Sequence, residues 1–254
     1  MIEPDVALDA LKDIIKEFET FVENRGSVSE ADTRVKLIDR ILVEVCGWPE
    51  EAIAREEHVE SGFIDYSLSI QTRRYVAVEA KREGVAFTFP ETSARSLKIS
   101  GSILTDPTIK KALIQVRQYC DDSGIRYAIA TNGYAWIVFR AIREDMPWRD
   151  GTARIFPTLE YIASNFTHFY NLLSFAAIQL GSLDEEFGAS TRIPRKLERV
   201  VDRLFNADLP LQKNRLHAQL YPLIQTIFED IATQEPLEIL QSCYVHAESL
   251  WIVV

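Results

Sequence analysis

The sequence predicts an α/β fold, in which a mixed sheet is flanked by helices and followed by a helical C-terminal region. Two adjoining runs, residues 64–70 and 75–81, alternate apolar with polar side chains at a period of two, which is typical of strands. A helical pattern at 107–123 separates them from two further strand-like runs, 126–131 and 134–142. A strand–helix–strand path of this kind predicts the crossover of an α/β sheet.

Composition limits the class of protein. The 254 residues are 47% hydrophobic and 26% charged, which is ordinary for a globular protein. A net charge of −10 argues against broad nonspecific coating of nucleic acid, although it leaves room for a local basic groove. The three cysteines, Cys46, Cys120 and Cys243, show no CxxC spacing, so we expect reduced thiols and a cytoplasmic location.

Neither an export signal nor a membrane span is predicted. The N-terminus carries acidic residues where a signal peptide would carry basic ones. Residues 161–183 contain no Asp, Glu, Lys or Arg and are long enough to span a bilayer. Polar side chains are spread through this stretch, however, and each would need a partner in hydrocarbon. The pattern favours a buried amphipathic helix.

Two helices are predicted before the first strand. Residues 5–24 place apolar side chains at helical spacing. Ser29 is a candidate N-cap, and Asp32 completes an acidic version of the capping box at the start of a helix that Gly47 ends. Glu30 falls in the first turn, where stabilisation of the helix dipole is a sufficient explanation for a carboxylate.

The two alternating runs predict a hairpin that brings acidic residues together. A weaker alternation at 53–60 predicts a strand before it. If the hairpin turn centres on Thr72, Asp65 faces Glu79 with Cβ atoms about 5 Å apart, and Lys81 points the same way. Like charges so placed repel each other, and a cation between them would relieve the repulsion.

Two converging carboxylates form a hard-oxygen site suited to Mg²⁺, which keeps its other positions for water and phosphate oxygens. A lysine beside such an ion can orient or deprotonate a water, or neutralise charge that grows on a phosphate. Metal-assisted phosphodiester hydrolysis is the chemistry implied. The alternative for Asp65 and Glu79 is that each is a solvated residue on an exposed strand face.

These residues carry a family resemblance. Asp65, followed fourteen residues later by Glu79-Ala80-Lys81, resembles the D…ExK core of the PD-(D/E)XK nucleases. The region 28–142 further resembles the N-terminal nuclease domain of type I restriction enzyme R subunits, through a set of short phrases. These are Ser29-Glu30-Ala31-Asp32, Gly47-Trp48, Asp65-Tyr66, Glu79-Ala80-Lys81-Arg82 and Thr131-Asn132-Gly133. Asp-Tyr stands where the superfamily's name has Pro-Asp, as is common in the R-subunit branch.

The resemblance implies a restriction-endonuclease-like core and a Mg²⁺-dependent endonuclease that hydrolyses DNA in bacterial restriction or anti-phage defence, with Mn²⁺ able to substitute. By similarity, Asp65 and Glu79 bind the metal, and Glu30 reaches it directly or through a water. Lys81 positions the attacking water. All four residues are then catalytic.

Gln115 and Tyr119 lie four residues apart in the helix predicted at 107–123 and share one face of it. Without the family, a helix surface with a half-buried tyrosine explains them. The resemblance makes them the QxxxY motif, which in related nucleases lies beside the catalytic centre and supports the substrate.

We expect a nuclease-like domain at 1–145 and a helical connector at 146–254. Within the first, 84–106 is predicted to be a loop or flap, and Asn132-Gly133 predicts a type I′ hairpin. Helices are predicted at the following positions in the second: 158–180, 195–206 and 215–232.

The last part of the chain bears on partners. A basic run between Arg192 and Arg215 is interrupted by acids, so a solvated or partner-facing surface explains it as well as nucleic acid does. The apolar residues 250–254 resemble a strand that begins another domain, and an ATPase would fit. DNA and such a domain are the expected partners, with a homo-oligomer left open. A noncatalytic binding or assembly module and an RNA-cleaving effector are the alternative functions.

Overall fold

The computed structural model describes residues 2–90 and 94–188. The chain divides into two compact units, Met1–Ala189 and Ser190–Val254, and the described residues belong to the first. Several sequence predictions fall outside the described residues: the helices at 195–206 and 215–232, the basic run from Arg192, and the apolar strand at the C-terminus.

The described residues contain one mixed, seven-stranded sheet. Its strands are β1 (Ile53–Val59), β2 (Gly62–Ile70), β3 (Arg73–Ala80), β4 (Ser96–Lys98), β5 (Tyr127–Thr131), β6 (Trp136–Arg140) and β7 (Thr152–Phe156). Their order across the sheet is β1-β2-β3-β5-β6-β7-β4. β3 and β5 are parallel, and the other neighbouring pairs in this sheet are antiparallel.

Helices cover both faces of the sheet, which confirms the predicted α/β class. They are α1 (Pro4–Arg25), α2 (Glu30–Thr33), α3 (Pro107–Ser123), α4 (Leu159–Ser164), α5 (Phe166–Leu173), α6 (Phe175–Gln179) and α7 (Ser182–Phe187). Two π-helical segments, Arg34–Ile38 and Ile41–Val45, follow α2. α1, the segments after α2, and α4–α7 share one apolar core, and α3 packs in a second core on the other face.

The β2–β3 hairpin has the register that the sequence predicted. Tyr66 pairs with Val78, and the same register continued by one residue aligns Asp65 with Glu79. The turn is shorter than predicted, with two residues between the strands, and a bulge after Leu68 compensates for the difference. Register matters here because a slip of one residue would turn each side chain to the opposite face.

α3 is the predicted crossover between the parallel strands β3 and β5. Its boundaries follow from local sequence: Asp106 accepts a hydrogen bond from the Ile109 amide at 2.8 Å, Pro107 occupies the first turn, and Gly124 ends the helix in a left-handed conformation. The predicted capping box of the preceding helix, α2, is also present.

The sheet continues past residue 145, where the sequence prediction ended the first domain. β7 pairs with β6, and α4–α7 pack in the same core as both. β7 also pairs with β4, a short edge strand inside the stretch 84–106 that was predicted as loop. Strands of three residues are too short to show a period, so the sequence gives no sign of β4.

Two predictions about later segments were wrong in detail. The single helix expected at 158–180 is divided into α4, α5 and α6, with breaks at Asn165 and Ser174; the Ser174 side chain caps α6. The β5–β6 connection is a four-residue loop and not a two-residue type I′ turn, because Thr131 pairs with Trp136. Across residues 2–90 and 94–188, no helix combines the length and apolarity that a membrane crossing needs.

The β5–β6 loop contacts the helical segment after α2 at Gly133. Gly133 has a φ of 87°, and a Cβ placed on it would lie 2.5 Å from Cδ2 of Leu37. Glycine is therefore needed at this position both for its backbone conformation and for the close approach of the two segments.

We predict that Gly133→Ala lowers the free energy of unfolding by roughly 2 to 4 kcal/mol, because the left-handed backbone and the contact with Leu37 both disfavour a side chain. Gly124→Ala is the matched control, since Gly124 also has a positive φ, of 67°, but has open space around it. It should cost only about 1 to 2 kcal/mol. Urea denaturation measures both, and equal losses would contradict the close contact.

Candidate active site

The candidate site lies at the end of β3, which has the antiparallel strand β2 on one side and the parallel strand β5 on the other. Lys81 directly follows β3, and its backbone amide donates to the Thr131 carbonyl at 2.7 Å, which fixes the end of the strand. Alternation along β3 turns Ala77 into the core that contains α3. Glu79 and Lys81 have the same parity as Ala77, and their side chains therefore share the α3 face.

Both carboxylate oxygens of Asp65 have neighbours that hold the group in place. Oδ2 accepts a hydrogen bond from the Ala80 amide at 2.7 Å, and Oδ1 lies 3.4 Å from a guanidinium nitrogen of Arg34. Burial raises the pKa of Asp65 above its usual value, although the Ala80 amide and the Arg34 charge act in the opposite direction.

Glu79 is the most enclosed ionisable group of the site, with 1% of its surface exposed. Its Oε1 accepts a hydrogen bond from Nζ of Lys81, whereas its buried Oε2 has no hydrogen-bond partner among the described residues. Burial, followed by the nearby charge of Asp65, raises the pKa of Glu79 to about 7. The carboxylate form thus has one oxygen that lacks a donor or a cation.

A chain of hydrogen bonds joins Lys81 to α3. Lys81 Nζ donates to Oε1 of Gln115 at 3.4 Å, and Nε2 of Gln115 donates to the hydroxyl of Tyr119 at 2.7 Å. Burial alone would lower the pKa of Lys81, but the hydrogen bond and charge of Glu79 raise it above its usual value. The structure therefore brings together the predicted helix pair and the predicted lysine, with the lysine in its charged form.

Glu30 is the first residue of α2 and is exposed. Burial is the largest cause of the raised pKa values of Asp65 and Glu79, and the charge of Glu30 is a smaller cause of both. Glu30 therefore lies at the edge of the same cluster. Thr33 ties this helix to the site: its Oγ1 accepts from the backbone amide of Glu83 at 3.0 Å.

Sequence analysis missed Arg34. One of its guanidinium nitrogens lies 3.2 Å from Oε1 of Glu56 and 3.4 Å from Asp65, and the group sits over the Tyr66 ring at 5.4 Å from the centroid. The available signal was its spacing, since a residue four positions after Glu30 shares its helix face. Glu56 has a φ of 53° within β1, a strained conformation for a residue other than glycine.

The donor set fits a hard divalent cation. Mg²⁺ is commonly bound by one or two carboxylates while water and phosphate oxygens complete its shell. Asp65 and Glu79 are two such carboxylates on aligned strands, and Oε2 of Glu79 lacks a partner in the described part of the chain. In residues 2–90 and 94–188, no group of three or more His, Cys, Asp or Glu side chains is arranged to hold a metal.

Comparison with known proteins gave one structural similarity. No family model and no curated protein matches the sequence. The chain is similar to the type IIG restriction endonuclease BpuSI, with a TM-score of 0.33 and 13% sequence identity over 94% of this chain. It spans 28% of the length of the BpuSI chain.

The buried carboxyl of Glu79 should make stability depend on pH. Its pKa rises from 4.5 in the unfolded chain to about 7 in the folded one, so its contribution to stability is complete below pH 4.5 and is lost as the pH rises through 7. Between pH 5 and pH 8 without divalent cations, Glu79→Gln should gain up to roughly 3 kcal/mol of unfolding free energy relative to the unmutated chain.

Urea denaturation in a chelating buffer measures this gain. Glutamine is the suitable replacement because it keeps an acceptor for Lys81 and cannot ionise. The matched control is Glu60→Gln, which makes the same replacement at an exposed position. A pH-dependent gain of the same size in both variants would contradict the burial of Glu79.

Proposed function

We propose that this chain is a Mg²⁺-dependent endonuclease of the PD-(D/E)XK type that hydrolyses phosphodiester bonds in DNA. The observation that supports it best is the convergence of Asp65, Glu79 and Lys81, with one oxygen of Glu79 left without a donor. Two carboxylates can hold a metal ion that lowers the pKa of a bound water, and a lysine beside it can stabilise charge that develops on a phosphate.

Asp65 and Glu79 would hold the Mg²⁺ ion, with Glu30 joining directly or through a water and Mn²⁺ able to substitute. The ion would supply charge stabilisation for the phosphate and a water of lowered pKa. The Ala80 amide orients Asp65 for this role. Glu79 binds best when ionised, so the metal and the proton compete for its carboxylate.

Lys81 acts as a cation in this proposal. Its raised pKa keeps Nζ protonated, which favours donation of hydrogen bonds to the attacking water or to a phosphate oxygen over removal of a proton. Gln115 holds the ammonium group through its amide oxygen, and Tyr119 in turn contacts Gln115. These two residues support the geometry of the reaction.

The biological setting follows from the resemblance of residues 28–142 to the nuclease domain of type I restriction enzyme R subunits. It supports a role in restriction or anti-phage defence within the cytoplasm of a bacterium. A further domain, such as an ATPase, and a second copy of the chain are the additional partners that we propose.

Cleavage of supercoiled plasmid in Mg²⁺ or Mn²⁺ tests the proposal. Asp65→Asn and Lys81→Ala should each lower the rate at least about 100-fold, because Asp65→Asn weakens binding of the metal ion and Lys81→Ala removes a cation beside the reacting phosphate. Gln115→Ala, which removes one of the two hydrogen-bond acceptors of Lys81, should lower it about tenfold. Glu60→Gln is the control and should cleave as the unmutated chain does.

An RNA substrate is run in parallel. Cleavage of RNA alone, lost in the same variants, would favour an RNA-cleaving effector with this site. Cleavage that survives Asp65→Asn and Lys81→Ala would contradict the assignment. If there is neither cleavage nor divalent-cation binding, a noncatalytic binding or assembly module would be the better description.

A further inference from the structure

A cleft of about 480 Å³ runs along the outer face of α3, beside the candidate site. Six residues from the first three and a half turns of the helix line it: Pro107, Lys110, Lys111, Ile114, Gln115 and Gln118. Four of these six residues have basic or amide side chains, and Ile114 is exposed among them.

Gln115 connects the cleft to the reacting groups. It lines the cleft, and its amide oxygen also accepts from Nζ of Lys81. Lys111, Gln115 and Tyr119 follow one another at intervals of four residues, so they form a single stripe along the helix. Each step along this stripe is about 6 Å. The stripe therefore leads from the lysine pair to the site.

The two lysines of the cleft keep their charge unpaired. Neither Lys110 nor Lys111 forms an ion pair in the described part of the chain, whereas the acids of the same helix have other partners. Those acids are Asp106, which caps α3, Asp121, which pairs with Arg117, and Asp122, which accepts from Ser61. In a chain with a net charge of −10, this face is locally basic.

We propose that Lys110 and Lys111 bind the phosphodiester backbone of the nucleic acid next to the bond that is cut. The inference rests on the proposed nuclease function and names the substrate-binding surface of that same site. Lysine ammonium groups bind phosphates as point charges, without reading bases. Gln118 adds an amide donor for phosphate or sugar oxygens.

Backbone binding on this face also resolves a conflict of charge. Asp65, Glu79 and Glu30 repel a polyanion, and a divalent cation held by Asp65 and Glu79 would offset only part of that repulsion. Two unpaired lysines about one to two turns from Gln115 supply attraction at short range. They position the strand, so we expect them to affect substrate binding more than the rate of the bound complex.

The test measures binding by fluorescence anisotropy in Mg²⁺, with Lys81→Ala present to prevent cleavage. Single-stranded DNA, duplex DNA and RNA oligonucleotides are titrated between about 50 and 200 mM salt. Lys110→Gln/Lys111→Gln removes the two charges. Lys12→Gln/Lys16→Gln removes the same charge from exposed positions on α1 and is the control. Thermal melting verifies that both double variants are folded.

Loss of two phosphate contacts should reduce the slope of log K against log salt by about 1.4 for single strands or about 1.8 for duplex. The control should keep the parental slope. The proposal is overturned if both double variants bind alike, or if the parent binds none of the oligonucleotides. The DNA and RNA arms identify the source of the backbone.

Cleavage by the chain with Lys81 intact separates this proposal from the nuclease assignment. Under the proposal, Lys110→Gln/Lys111→Gln raises KM and changes kcat little. Lysine-dependent binding without any cleavage would support the backbone site and count against the nuclease. Cleavage with unchanged KM in this double variant would overturn the backbone site and leave the nuclease assignment standing.

Discussion

The pairing of Asp65 with Glu79 across the β2–β3 hairpin is the constraint on which the rest of the site depends. Two carboxylates on aligned strands repel each other, and Glu79 is almost fully buried. Specific carboxylate oxygens have a donor or a cation beside them. The Ala80 amide and Arg34 contact Asp65, and Lys81 contacts one oxygen of Glu79. The other oxygen of Glu79 has no donor within the described residues, and a divalent cation is the partner that suits it.

The surrounding fold serves to place these donors. The parallel pairing of β3 with β5 requires a crossover, and the crossover helix α3 brings Gln115 to Lys81. On the other side of the sheet, the close approach at Gly133 and the hydrogen bond from Glu83 to Thr33 hold the helical segment that carries Glu30 and Arg34. The site is thus assembled from three separate parts of the chain, each held by contacts of its own.

Sequence predicted what local rules determine. The hairpin register followed from alternation, the capping box of α2 followed from Ser29 and Asp32, and the bounds of α3 followed from the helical pattern at 107–123. The joint position of Asp65, Glu79 and Lys81 followed from that register. The features that sequence analysis missed depend on tertiary contacts. They are the short edge strand β4, the continuation of the sheet into β7, the breaks at Asn165 and Ser174, and the contact of Arg34 with Asp65. No local pattern marks an edge strand of three residues, and the spacing of Arg34 from Glu30 indicates a shared helix face but not a contact with a strand.

Anomalous diffraction from crystals grown with Mn²⁺ tests the central claim most directly, because it locates the ion without depending on activity. Our account predicts an anomalous peak in contact with an oxygen of Asp65 and with Oε2 of Glu79, and no such peak in the Asp65→Asn variant. A well-ordered site with Glu79 still paired to Lys81 and no peak beside it would contradict the account.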